Sequence, residues 1–243
     1  MILIDIGNTR IKWAVQQAGQ LEEMHAMVHI GTNIEIQLLA AWQPLNTPGP
    51  IYLACVGAES VKLQVIRVAE QLWPHISLQE ISTQKYAQGV HNAYPIYSKL
   101  GVDRWLAILG AFHEYTAPVC IVSSGSAITL DIVDAQGQHL GGMIMPGLNL
   151  LQQALAKGTA NLKIASEQYP LGLANDTEAA IYNGNLCAIK GFIQQGIAEF
   201  KKPIQLILTG GDANYLADSL KLDAIIDARL VLKGLALIAN ESI

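Results

Sequence analysis

The chain starts its fold twice. Residues 1–6 (MILIDI) form an apolar run that ends in Gly7-Asn8-Thr9, and residues 10–16, with IKWAV at their centre, form another. Two strand-like runs joined by such a turn read as a hairpin. Residues 119–134 (VCIVSSGSAITLDIVD) repeat the order of strand, Gly turn and strand. With an offset of 118, Gly7 meets Gly125, Val15 meets Val133, Gly19 meets Gly137 and Gln20 meets Gln138. Either two hairpins resemble each other by chance, or a domain is duplicated with its join near residue 117. The 243-residue length lies between one and two domains at about 150 residues each, so it fits either.

Between and after the two starts the pattern alternates. Residues 34–45 read as a helix that stops near Pro44, 51–57 as a buried strand, 59–73 as a helix and 76–82 as a strand. Residues 83–103 hold few periodic positions and read as a long loop, a feature often functional. Helix returns at 104–115. Beyond the second hairpin come Gly141-Gly142 and Pro146-Gly147, helices at 148–157 and 176–200, and a strand at 203–209 ending in Gly210-Gly211-Asp212. A further helix follows, and 227–240 reads as the last. Strands alternating with helices imply an α/β fold with mixed sheets.

Composition narrows the function classes. Hydrophobic residues make up 51% and charged residues 14%, which excludes a disordered chain. Net charge is −5 and no basic run stands out, so no nucleic-acid footprint is visible. Mean hydropathy is +0.29, yet no stretch reaches 18 uninterrupted apolar residues, and the first residues lack the positive region of a signal peptide. A cytoplasmic protein without a membrane partner is expected. The widely spaced Cys55, Cys120 and Cys187 read as reduced, buried thiols. The six scattered histidines read as surface or loop residues, and Trp42 and Trp73 as core or interface anchors.

Three segments carry candidate chemistry. In Asp5-Ile6-Gly7-Asn8-Thr9-Arg10-Ile11-Lys12 a Gly turn lets backbone N–H groups approach phosphate, and Arg10 and Lys12 add positive charge. Asp5 closes a buried strand, where an unpaired carboxylate is costly. A hydrated Mg²⁺ beside nucleotide phosphates would satisfy it. An ordinary capped hairpin accounts for the same residues. Ser123-Ser124-Gly125-Ser126-Ala127-Ile128-Thr129 is rich in hydroxyls and reads equally as a tight turn under close packing or, paired with the first turn across a duplication, as the other half of a phosphate clamp. Thr209-Gly210-Gly211-Asp212 is either a simple strand-to-helix loop or a place for close approach to a flat ligand such as a nucleoside. No GxxxxGK[ST] loop is present. In Tyr94-Pro95-Ile96-Tyr97-Ser98-Lys99-Leu100-Gly101-Val102-Asp103-Arg104-Trp105, Asp103 reads as a helix N-cap or as a general base. Arg104 beside it suits a carboxylate, so the pair suits an acidic substrate that carries a hydroxyl.

These segments together resemble the type III pantothenate kinases of the acetate and sugar kinase, Hsp70 and actin superfamily. The resemblance runs over nearly the whole chain. It rests on Asp5-Ile6-Gly7-Asn8-Thr9 with Lys12, on Tyr94 seven residues before Gly101, and on Leu100-Gly101-Val102-Asp103-Arg104-Trp105. It continues through Gly125-Ser126-Ala127, Thr129-Leu130-Asp131, His139-Leu140-Gly141-Gly142, Pro146-Gly147 and Thr209-Gly210-Gly211-Asp212. The resemblance implies duplicated ribonuclease-H-like (actin-like ATPase) domains, here 1–117 and 118–243. It also implies ATP-dependent phosphorylation of pantothenate, Mg²⁺, commonly a monovalent cation (K⁺ or NH₄⁺), and a homodimer with the site near its interface. By the same resemblance Asp103 is the general base. Arg104, Gly101, Val102 and Tyr94 shape the pantothenate pocket, and Thr177 contacts pantothenate, from its own or the partner subunit. Asp5 through Lys12 bind ATP phosphates and organise Mg²⁺, with Ser126, Gly125 and Gly210 also on the nucleotide.

The chain departs from the family at Ser123, where an Asp linked to the monovalent cation is usual. A neutral hydroxyl lacks the charge that draws K⁺ or NH₄⁺, so a weak or absent requirement is expected. Tyr97 stands where many relatives carry Pro and implies no loss. Other readings of the same residues are a kinase or phosphohydrolase for another small acid, since fold does not fix function, and a non-enzymatic transcription accessory factor.

Overall fold

The apolar runs become strands and the periodic segments become helices. A computed structural model describes residues 1–30, 33–45, 49–159 and 167–241. The first half contains strands β1 (Ile2–Ile6), β2 (Arg10–Gln17), β3 (Gln20–Leu21) and β4 (His25–Val28), then helix α1 (Ile34–Trp42) and strand β5 (Ile51–Cys55). Helix α2 (Glu59–Leu72), strands β6 (Leu78–Glu80), β7 (Tyr86–Ala87) and β8 (Val90–His91), and helix α3 (Val102–Glu114) follow. The second half contains β9 (Val119–Ser124), β10 (Ala127–Val133), β11 (His139–Pro146), α4 (Leu148–Gly158) and α5 (Thr177–Glu199). It ends with β12 (Gln205–Thr209), α6 (Ala213–Leu220), β13 (Ile225–Ile226) and α7 (Leu230–Glu241).

The chain divides into two compact units, Met1–Glu114 with Arg229–Ile243, and Tyr115–Ala228. In the first unit the sheet order is β3-β2-β1-β5-β6, with β4 also on β2. β1 is buried along its whole length, as expected of a central strand flanked by an antiparallel and a parallel neighbour. Its core holds Trp42, fully buried, edge-on to Trp13 and stacked on Trp73, so Trp42 and Trp73 are core anchors. The second unit has the order β11-β10-β9-β12-β13 with its own apolar core.

The two sheets share one topology. In each, the first strand pairs antiparallel with the second and parallel with the fourth core strand, and the last is parallel to that one. The registers explain the sequence overlay. Asp5 faces Lys12 and Ile6 faces Ile11, whereas Ser123 faces Thr129 and Ser124 faces Ile128. The second turn is therefore one residue shorter, and the offset of 118 drops to 117 along the return strand. Val15, opposite Ile2, corresponds to Ile132, opposite Cys120, and not to Val133. The residue is regained at the other end of the hairpin. There Ala18-Gly19 is a two-residue turn with both φ positive, and Ala135-Gln136-Gly137 is a three-residue turn that keeps the left-handed glycine. Gly19 and Gly137 are thus equivalent, although the strands before them are out of step.

Some expectations need correction. The last helix was expected in a 118–243 domain, but α7 groups with the first unit because it packs along α3. The helices approach so closely that a Cβ on Gly110 would strike the Leu230 carbonyl and one on Gly234 the Leu106 carbonyl. Residues 83–103 are not structureless: they hold the β7–β8 hairpin and a 3₁₀ turn at Tyr97–Lys99. The last helix of that region starts at Val102, so Asp103 lies inside its first turn instead of capping it. Of the cysteines only Cys120 is buried; Cys55 is half-buried and Cys187 exposed. His29 and His139 are buried and not surface residues.

Candidate functional site

The first turn joins β1 to β2 at the end of a fully buried strand. Gly7 N–H donates to the Arg10 carbonyl at 3.0 Å and closes it. Asp5 is 5% exposed, and its Oδ1 has no hydrogen-bond partner. Lys12, directly across the strand pair, brings Nζ to 4.0 Å from Oδ2. Burial pushes the Asp5 carboxyl up from 3.8 to about 6; Lys12 opposes the shift and the Asp103 charge adds to it. An orphaned, desolvated carboxylate oxygen beside a glycine turn fits a hydrated divalent cation held by one protein ligand. No group of three or more His, Cys, Asp or Glu among the described residues is arranged to hold a metal, so a cage made of protein alone is not the alternative.

The Gly101–Arg104 segment belongs to the same unit. Asp103 Oδ1 accepts from the Arg104 backbone N–H at 2.8 Å, and a Cβ on Gly101 would come within 2.6 Å of that same oxygen. Arg104 is 6% exposed, an unusual state for a guanidinium. Its Nη1 donates to the Tyr94 hydroxyl at 3.1 Å, and its Cζ lies 5.8 Å from the centre of the Tyr94 ring. Tyr94, Gly101, Asp103 and Arg104 thus come together as the sequence predicts. Val102 is buried behind them, and Trp105 is fully buried in the core.

Two further residues brace this segment and were not singled out from sequence. Thr83 Oγ1 donates to the Leu100 carbonyl at 2.8 Å, one residue before Gly101. The Asn92 side chain accepts from Tyr94 N–H at 2.9 Å and donates to the Gln84 carbonyl at 3.2 Å. An Asx turn within the loop is the only signal that pointed to Asn92.

The second turn, in the other unit, is neutral. Gly125 N–H donates to the Ala127 carbonyl at 3.0 Å, and Gly147 N–H donates to the Ser126 carbonyl at 2.9 Å. Ser124 is buried, Ser123 is half-buried and Ser126 is exposed. Gly210 has φ +96°, and a Cβ there would strike the Ser124 carbonyl, so the Gly210 backbone lies directly against this turn. Further along the hairpin, away from the turn, the buried Asp131 and His139 pair at 3.0 Å between β10 and β11. Thr177 begins α5 in the same unit, behind Asp176, whose carboxylate accepts from Ala179 N–H at 2.9 Å.

A family model described as type III pantothenate kinase matches residues 1–199. Curated proteins named type III pantothenate kinase match throughout the chain. That of Nitrosococcus oceani is 35% identical, covering 100% of this chain and 94% of its own. That of Laribacter hongkongensis is also 35% identical, covering 100% and 99%. Among solved structures, a Campylobacter jejuni chain named for the Baf family of transcriptional activators aligns with TM-score 0.62 at 22% identity, covering 100% of both chains. An activator of 2-hydroxyisocaproyl-CoA dehydratase from Clostridium difficile, with bound ADPNP, aligns with TM-score 0.58 at 11% identity, covering 99% and 94%. At these identities the structural likenesses establish the fold, an actin-like ATPase and sugar-kinase architecture.

Proposed function

The chain belongs to the type III pantothenate kinase family, and from that premise we propose how its own residues carry the reaction. The enzyme transfers a phosphoryl group from ATP to pantothenate in coenzyme A biosynthesis. Phosphoryl transfer needs positioning and charge neutralisation more than covalent chemistry. In our reading Asp103 takes the proton from the attacking hydroxyl. Arg104 holds the pantothenate carboxylate, with Tyr94, Gly101 and Val102 shaping the pocket. Asp5 through Lys12 bind the ATP phosphates, and Gly125, Ser126 and Gly210 contact the nucleotide. Asp5 would hold Mg²⁺ through water, and that ion, when bound, would neutralise phosphate charge. The reading extends to a cytoplasmic homodimer in which Thr177 contacts pantothenate, and to turnover that needs no specific monovalent cation because Ser123 is neutral.

One observation supports the core of this reading most. The Cβ position of Gly101, 2.6 Å from Asp103 Oδ1, is also 3.9 Å from Val56 Cγ1, and Val56 N–H donates to the Ile6 carbonyl at 3.0 Å. The assigned base and the assigned phosphate turn therefore lie close together in one unit, and the Asp103 charge helps to hold the Asp5 carboxyl up. Asp103 is half-exposed beside a buried guanidinium, as a base for an acidic hydroxylated substrate should be. Asp103→Asn is expected to lower kcat by about 10³-fold while the ATP dissociation constant stays within about twofold. Near-wild-type turnover would remove Asp103 from its role. In the same assay, ADP release that does not depend on pantothenate would reject the substrate assignment.

A further inference from the structure

The residue that grips the first turn comes from outside the motif. His29 follows the last residue of β4 and is buried. Its Nε2 lies 2.9 Å from the Gly7 carbonyl, and its backbone N–H donates to the Thr9 carbonyl at 3.1 Å. One residue thus bonds the carbonyls on both sides of Asn8. A carbonyl oxygen can only accept, so the ring nitrogen carries the proton in this contact. On another side, Gly57 backs the same oxygen: a Cβ on Gly57 would come within 2.5 Å of the Gly7 carbonyl.

Peptide geometry turns this grip into a directional device. The Gly7–Asn8 bond is trans, because the one cis bond among the described residues is Ala117–Pro118. In a planar trans peptide the C=O and N–H point in opposite directions. Fixing the Gly7 carbonyl onto His29 therefore fixes the Asn8 N–H to point away from His29 and Gly57. Asn8 is exposed. Rotation of this peptide plane changes ψ of Gly7 and φ of Asn8, and Gly7, lacking a Cβ, does little by itself to hold ψ in one well. Prepaid orientation of donors is what a phosphate-binding turn requires.

We propose that His29 is a positioning residue for ATP: it orients the Gly7–Asn8 peptide so that its N–H faces the phosphates. The inference rests on the reading that the first turn binds ATP. Lys12, which projects from β2 opposite Asp5, serves as an independent control on that reading.

The test compares His29→Phe, which keeps a ring but loses the donor, with His29→Gln, which places an amide N–H at similar reach. Steady-state kinetics with ATP and pantothenate varied separately, together with melting curves, give the readouts. His29→Phe is expected to raise the KM for ATP about tenfold while the KM for pantothenate changes less than about twofold, and His29→Gln should restore most of the loss. Unchanged ATP KM in His29→Phe overturns the proposal. So does an equal rise in both KM values, or a His29→Gln variant as impaired as His29→Phe, since either marks a merely structural role. Lys12→Met separates the two failures. If it raises the ATP KM and His29→Phe does not, the His29 inference alone is wrong. If neither moves it, the ATP assignment of the turn is wrong as well.

Discussion

The two hairpin turns are built on the same scaffold and carry opposite electrostatics. The first carries a carboxylate one residue before the end of a wholly buried strand, faces it with a lysine and closes with a four-residue turn. The second places Ser123 and Thr129 at the same cross-strand position and closes one residue earlier. Strand order and sense agree along the main path of both sheets, so topology does not distinguish the turns. The side chains at one register position do. In the first turn, desolvation charges a penalty against Asp5 that a bound cation would relieve. In the second, no comparable charge exists at Ser123 to recruit one. The shared strand order supplies the frame, and the residues at equivalent positions set the charge each turn presents.

The comparison breaks most directly at Asp5. Asp5→Asn should reduce Mg-ATP-dependent turnover by about 10²-fold or more, because it removes the one carboxylate offered to the ion. Comparable activity in a steady-state assay across a Mg²⁺ titration would mean that the first turn does not organise the metal. The same substitution should stabilise the ligand-free protein. The raised carboxyl, about 6 against an ordinary 3.8, opposes folding above pH 6 by about 3 kcal/mol. A carboxyl raised in the folded state binds its proton more tightly there, so stability rises as pH falls from about 7 towards 4. Asp5→Asn should flatten that rise and lift the melting temperature at pH 7.5 by roughly 5 °C. Thermal scans at pH 5 and 7.5 check both effects, and a wild-type protein that gains nothing on mild acidification contradicts them.

Two smaller effects sharpen the second turn. Ser123→Asp introduces a charge opposite Thr129 and should make turnover rise severalfold when a monovalent cation is added, through attraction of that cation to the new carboxylate. Ser126→Ala removes one exposed hydroxyl and should change the KM for ATP by less than about fivefold. Paired kinetics of these variants with wild type decide whether the neutral turn contacts the nucleotide weakly, as the comparison requires, or as strongly as the first.

Much of this comparison was legible in the sequence. An apolar run containing Asp5 and ending at a Gly turn, with a second strand-like run beyond it, already pointed to a hairpin, whereas the cross-strand pairing of Asp5 with Lys12 emerges only from the register. Buried hydrophobic strands such as β5, β9 and β12 declare themselves because both faces are apolar. Tyr94, Gly101, Asp103 and Arg104, grouped through the resemblance, do lie beside one another. The register slip was not legible, because the residue lost at the Ser126 turn is regained at Gly137, and the flanking glycines still align. The return of α7 to the first unit was hidden for another reason. Its partner surface on α3 depends on Gly110 and Gly234, each four residues after a leucine, and a glycine within a helical pattern reads as a weakness, not a contact. His29 left no signal at all. β4 is a mostly exposed edge strand without alternation, and only the fold brings its end to the Gly7 carbonyl.

The central claim is that the first turn handles charge and the second does so without a cation of its own. Pantothenate-dependent ADP release by the purified protein, with Mg²⁺ and ATP in matched sodium, potassium and ammonium buffers, tests it most directly. The account predicts pantothenate-dependent turnover that agrees within about twofold across the three buffers, because Ser123 offers no charge to a monovalent ion. Turnover that collapses in sodium and recovers in potassium or ammonium would contradict it.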